Sequence, residues 1–92
     1  MPDDPDRTYD HEALLEFGYD RPRRARVVER SVRQEVGEIA GDRTRAGVDR
    51  ENCTVAVRIE ARDLVALRAG VNTWTTLVEV AERTAAAGEP RR

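Results

Sequence analysis

The run Cys53-Thr54-Val55-Ala56-Val57-Arg58-Ile59-Glu60-Ala61-Arg62-Asp63-Leu64-Val65-Ala66-Leu67 changes its hydrophobic period once, and that change decides the fold. Cys53, Val55, Val57 and Ile59 alternate with Thr54, Ala56, Arg58 and Glu60, the pattern of a strand with one face in a core. Cys53 is expected on that inward face as a buried, unreactive thiol. Beyond Asp63, which is placed as a helix cap, the apolar spacing becomes 3 and 4 and predicts a helix through about Thr84.

Working back along the chain, Thr44, Ala46 and Val48 alternate with arginines, and a turn at Asp49-Arg50-Glu51-Asn52 makes this strand and the next a hairpin. Earlier still, Ala13, Leu15 and Phe17 form the core face of a first strand, leaving Glu12, Leu14 and Glu16 outside. Asp20 is expected to cap a first helix that has Pro22 in its first turn and runs to about Ala40, with Gly41 as its terminator. Ala25, Val28, Val32, Val36 and Ile39 form its apolar stripe. The order is β-α-β-β-α: a two-layer α+β domain whose three-stranded, mainly antiparallel sheet carries both helices on one face. Residues 1–10 read as a disordered acidic tail, 11–86 as the folded domain and 87–92 as a flexible C-terminal tail.

At 92 residues, with 39% hydrophobic and 37% charged, the chain builds one small aliphatic core of marginal stability, so help from a partner is expected. No apolar run reaches the roughly 18 residues of a membrane span and the acidic start is unlike a signal peptide, so a cytoplasmic protein is expected. All 16 basic residues are arginine, which a GC-rich genome or selection for bidentate contacts would each produce. The net charge of −2 conceals segregation: residues 1–20 sum to −6 and residues 21–33 to +5. Such neighbouring blocks point to a partner contact or to strand and helix pairing internally.

The second helix carries two apolar sets. Leu64, Leu67, Val71, Trp74, Val78, Ala81 and Ala85 make one stripe; Ala66, Gly70, Thr73, Leu77, Val80 and Thr84, with Ala69, make another about 100° around the cylinder. A sheet covers one stripe. The first helix could cover the other, but the small residues Ala66, Ala69, Gly70 and Thr73 also form a groove that would admit a partner helix. Ala66, Ala69, Gly70, Thr73, Leu77 and Val80 are therefore the candidate interface. On that reading a bulky residue at Gly70 would abolish partner binding and leave the fold intact.

On the first helix, Arg23, Arg26, Arg30 and Arg33 project from one face. The ridge is either a solvated face neutralised by Glu12, Glu16 or Glu29, or a contact for a nucleic acid backbone. No catalytic set accompanies it: His11 has no second histidine, one cysteine gives neither disulfide nor zinc site, and the glycines make no phosphate loop. No enzyme and no cofactor are expected.

In the segment Ile59 to Thr73, Asp63, the run Ala66-Leu67-Arg68-Ala69, Asn72 and Thr73 are similar to the signature of the small dimerising subunit of the KEOPS complex, the Pcc family. Gly70 and Thr73-Trp74-Thr75-Thr76 depart from that signature. The resemblance implies a non-catalytic subunit that self-associates and packs its helices against those of the catalytic ATPase-like subunit. That complex installs threonylcarbamoyl on the adenosine beside the tRNA anticodon. With the all-arginine, acid-tailed composition it also implies an archaeal source. Two other readings are a KH-like RNA-binding module, for which the chain lacks the GxxG loop and the adjacent helix pair, and a plain homodimeric scaffold.

Overall fold

The computed structural model describes residues 9–36 and 43–88. Of the expected tails, residues 1–8 and 89–92 lie outside the described residues, as do Ile39, Ala40 and Gly41; the first helix, expected to run to about Ala40, has its C-cap at Gln34. The elements are β1 (His11–Gly18), α1 (Pro22–Arg33), β2 (Thr44–Glu51), β3 (Thr54–Ala61) and α2 (Leu64–Ala87). They form the expected α+β domain, with sheet order β1-β3-β2. Both pairings are antiparallel, so β1 and β2 run parallel with β3 between them.

The central strand is central because its inward side chains are the most apolar. Val55, Val57, Ile59 and Ala61 are all fully buried. The register sets Leu15, Val57 and Val48 in one inward row, Ala13, Ile59 and Ala46 in the next, and Phe17, Val55 and Arg50 in the third. α1 lays Ala25, Val28 and Val32 on this face, and α2 adds Trp74, Val78, Ala81 and Ala85. Each such side chain contributes about 1.5–3 kcal/mol on leaving water, alanine less. The opposite sheet face is solvated: Leu14 is half exposed, the Arg45 Nε donates to Glu60 at 2.7 Å, and Arg58 pairs with Glu12.

Besides the earlier end of the first helix, four local features differ from the sequence-based expectations. The hairpin turn is Asn52-Cys53, closed by the Glu51 and Thr54 pair, with Asn52 in the left-handed region at φ 58°. Asparagine tolerates that conformation, which the preceding residues suit less well. Cys53 is thus a half-buried turn residue instead of a strand core residue. At the start of α1, Pro22 sets the first helical position one residue late for Asp20: the cap is Arg21, with no side-chain hydrogen bond. Ordered contacts begin before His11, since the Arg45 guanidinium stacks 4.5 Å from the Tyr9 ring centroid. Finally, α2 extends three residues past Thr84, to Ala87.

α2 sits closer to the sheet than an ordinary side chain would permit. A Cβ on Gly70 would lie 3.1 Å from the Ile59 Cγ2, so Gly70 faces its own sheet and lets the helix backbone approach β3. That contact explains a glycine in a helix interior, which costs about 1 kcal/mol relative to alanine. Gly70→Leu should lower unfolding stability by about 1–3 kcal/mol through overpacking against Ile59. Urea denaturation monitored at Trp74 measures it, and an unchanged midpoint would contradict the contact.

Candidate functional site

Asp63 begins the site. Its carboxylate accepts from the Ala66 backbone N–H at 2.8 Å, satisfying a donor that the first helical turn leaves unpaired, and also pairs with Arg43 at the entry to β2. The Arg62 N–H donates to the Arg43 carbonyl at 3.0 Å, so the entries to α2 and β2 are braced together. The hydrogen bond from Ala66, followed by that from Arg43, holds the Asp63 pKa below its ordinary value.

In the first turn of α2, directly after this cap, Leu64 and Val65 are 63% and 77% exposed, whereas Ala66 is buried. With Arg68, Ala69 and Asn72 they line an open hollow of about 330 Å³. Val65, Ala69, Thr73, Thr76 and Val80 lie within about 80° of the cylinder, a strip of apolar and short side chains along the outer side of α2. All five are exposed apart from what each shields of its neighbours.

Of the six candidate interface residues, Ala69, Thr73 and Val80 therefore lie on the open side, whereas Ala66 is buried and Gly70 and Leu77 are half-buried toward their own domain. The second apolar set is split by the width of the seat, because α2 rests against α1 as well as against all three strands. Leu64 and Val65 were missed for opposite reasons. Leu64 fits the period of the core stripe but precedes the core, and Val65 belongs to neither stripe, which was itself the signal.

The four arginines of α1 are all exposed, but they do not act alike. The Arg33 Nε donates to Glu29 at 2.9 Å and its Nη2 to the Val48 carbonyl at 2.8 Å. Glu29 is thereby engaged with Arg33 and Arg50, and Glu12 with Arg58, leaving Arg23, Arg26 and Arg30 as the ridge. At the far end of α2 the Tyr19 hydroxyl donates to Glu82 at 2.7 Å, tying the exit of β1 to the helix. Burial foremost, then the carboxylate, raises the Tyr19 pKa. Among the described residues no group of His, Cys, Asp and Glu could hold a metal ion, and no helix is long and apolar enough to cross a membrane.

Among the described residues no further strand pairs with β1 or β2, and the composition of these two sheet edges follows from hydrogen-bond parity. The Tyr19 N–H donates to the Cys53 carbonyl and the Arg62 N–H to the Arg43 carbonyl, so odd-numbered residues of β3 face β1 and even-numbered ones face β2. The outward backbone groups are consequently those of Glu12, Leu14, Glu16 and Gly18 on β1, and of Thr44, Ala46, Val48 and Arg50 on β2.

A family model described as "Transcription factor Pcc1" matches residues 12–86, from the first strand to the end of the long helix. The chain belongs to the Pcc1 family. Pcc1 is a subunit family of KEOPS, in agreement with the signature at Ile59 to Thr73, and generally a non-catalytic component of it. A chain from the crystal structure of the binary complex Gon7-Pcc1 superposes with a TM-score of 0.74 at 16% identity, covering 88% of this chain and 99% of that one. At that identity the likeness shows the shared fold. No curated protein matches the chain.

In this Pcc1-family chain the cap carries a pH dependence with a defined sign. A carboxyl whose folded pKa is depressed adds stability that is fully present above its unfolded value and lost as pH falls through the folded value. Asp63→Ala should lower the melting temperature at neutral pH, and the gap from the unsubstituted protein should narrow as pH drops below about 4. Thermal melts across that range measure the gap; a gap independent of pH would remove the carboxylate from the cap.

Proposed function

We propose that the chain is the non-catalytic, dimerising subunit of a cytoplasmic KEOPS complex, supporting formation of threonylcarbamoyladenosine beside the tRNA anticodon. It binds the catalytic ATPase-like subunit through its helices. The observation that carries this reading is the exposed strip of α2, where Val65, Ala69, Thr73 and Val80, with the exposed Leu64 beside its start, offer a partner helix apolar contact and room for close approach. Ala66, Gly70 and Leu77 support the strip from behind by seating α2 on its own domain. Self-association uses the outward groups of Glu12, Leu14 and Glu16 on β1, which a second β1 can meet in antiparallel pairing. Arg23, Arg26 and Arg30 meet the phosphates of the tRNA. Separation of the two helices by the β2–β3 hairpin weighs against a KH-like module.

Co-purification with the catalytic subunit tests the interface. Ala69→Trp should abolish recovery of that subunit while leaving the unfolding free energy within about 0.5 kcal/mol, as expected of a surface position. Full recovery would move the contact off α2. For the ridge, alanine at Arg23, Arg26 and Arg30 together should reduce the slope of log affinity for tRNA against log salt by about 2–3. Equal slopes for the substituted and unsubstituted proteins would show that the ridge does not touch RNA.

A further inference from the structure

Arg33 leaves the arginine row to reach a strand edge. Its Nη2 donates at 2.8 Å to the carbonyl of Val48, one of the outward-facing groups of β2. An incoming strand would need that acceptor for its own N–H, and the guanidinium occupies the space in which the strand would lie. The arginine is held there by Glu29, one turn earlier on α1, whose Oε2 accepts from the Arg33 Nε at 2.9 Å. The other oxygen of Glu29 lies 3.5 Å from the Nε of Arg50. Arg50 stands on the inward face of β2, with its Nε buried and without a hydrogen bond. One mostly buried carboxylate is thus shared between an arginine from the strand and an arginine from the helix, and α1 is locked against β2.

A sheet with two open edges has no reason to stop at two copies. Edge-to-edge addition that leaves a second edge free is open-ended, whereas closing one edge makes the product finite. We propose that Glu29, Arg33 and Arg50 form a guard that closes the β2 edge to a second copy of this chain. Self-association is thereby confined to β1 and ends at a dimer, a consequence that rests on the dimer reading above. The guard uses a donor on the acceptor row of the edge, so the length and planarity of arginine matter as well as its charge.

The test compares the full-length protein with Arg33→Met, which keeps the alkyl stem and removes the donors, and with Glu29→Gln, which loosens the arginine without removing it. Sedimentation across a concentration series gives the size, circular dichroism the fold, and residue-resolved amide exchange the edge in use. Arg33→Met should form species larger than a dimer as concentration rises, with the Ala46, Val48 and Arg50 amides slowed about tenfold or more. Glu29→Gln should give the same species in smaller amount. If both variants remain folded, no larger than the unsubstituted protein and unprotected along β2, the guard is refuted. A monomeric unsubstituted protein refutes the β1 dimer alone; the guard is then read from whether Arg33→Met associates through β2.

Discussion

The approach of α2 to β3 governs most of the molecule. Because Gly70 has no side chain, the helix axis comes down over Ile59, and the turns that follow bring Trp74, Val78, Ala81 and Ala85 onto the same surface. α1 then fills the rest of the inward face with Ala25, Val28 and Val32, lying beside α2 with Val27 packed at the margin of the core. Among the described residues, a core made of six valines, five alanines, one isoleucine and one tryptophan has little volume to lose, so the close seat substitutes for bulk. In the first turn of α2, Ala66 is buried while Leu64 and Val65 remain in water.

The β3 and α2 periods were legible because each repeats several times without interruption. Alternation from Val55 to Ile59 and the 3 and 4 spacing after Asp63 state their faces, and Asp63 is a cap with one available partner geometry. Shorter signals were not so decisive. The turn could begin anywhere from Asp49 to Asn52 on composition, and only the register of Glu51 against Thr54 places Asn52 at positive φ. The cap of α1 was obscured by a proline whose fixed φ is compatible with more than one starting residue. Gly70 was the most instructive case. A small residue in a helix signals close approach by some backbone or side chain, but the identity of the approaching group depends on where the helix crosses the sheet, a long-range fact that no local spacing contains.

Charge is arranged to keep distinct surfaces distinct. Glu12 and Glu60 neutralise arginines across the solvated sheet face, Glu29 is divided between Arg33 and Arg50, and the outer strip of α2 is left with short, uncharged side chains at its centre. Membership of the Pcc1 family, a subunit family of KEOPS, gives these surfaces a shared context: a subunit works within a complex through the surfaces it offers. The two long exposed features, the β1 edge and the outer side of α2, lie on different layers of the domain.

The placement of Cys53 has a practical use. It is the chain's only cysteine and it sits at the tip of the β2–β3 turn. In a six-stranded sheet joined along β1, the two tips would fall on opposite sides, about 19 Å apart across the sheet from four strand spacings alone. A nitroxide or fluorophore on each thiol would then act as a molecular ruler, reading the arrangement of two protomers without any engineered attachment point.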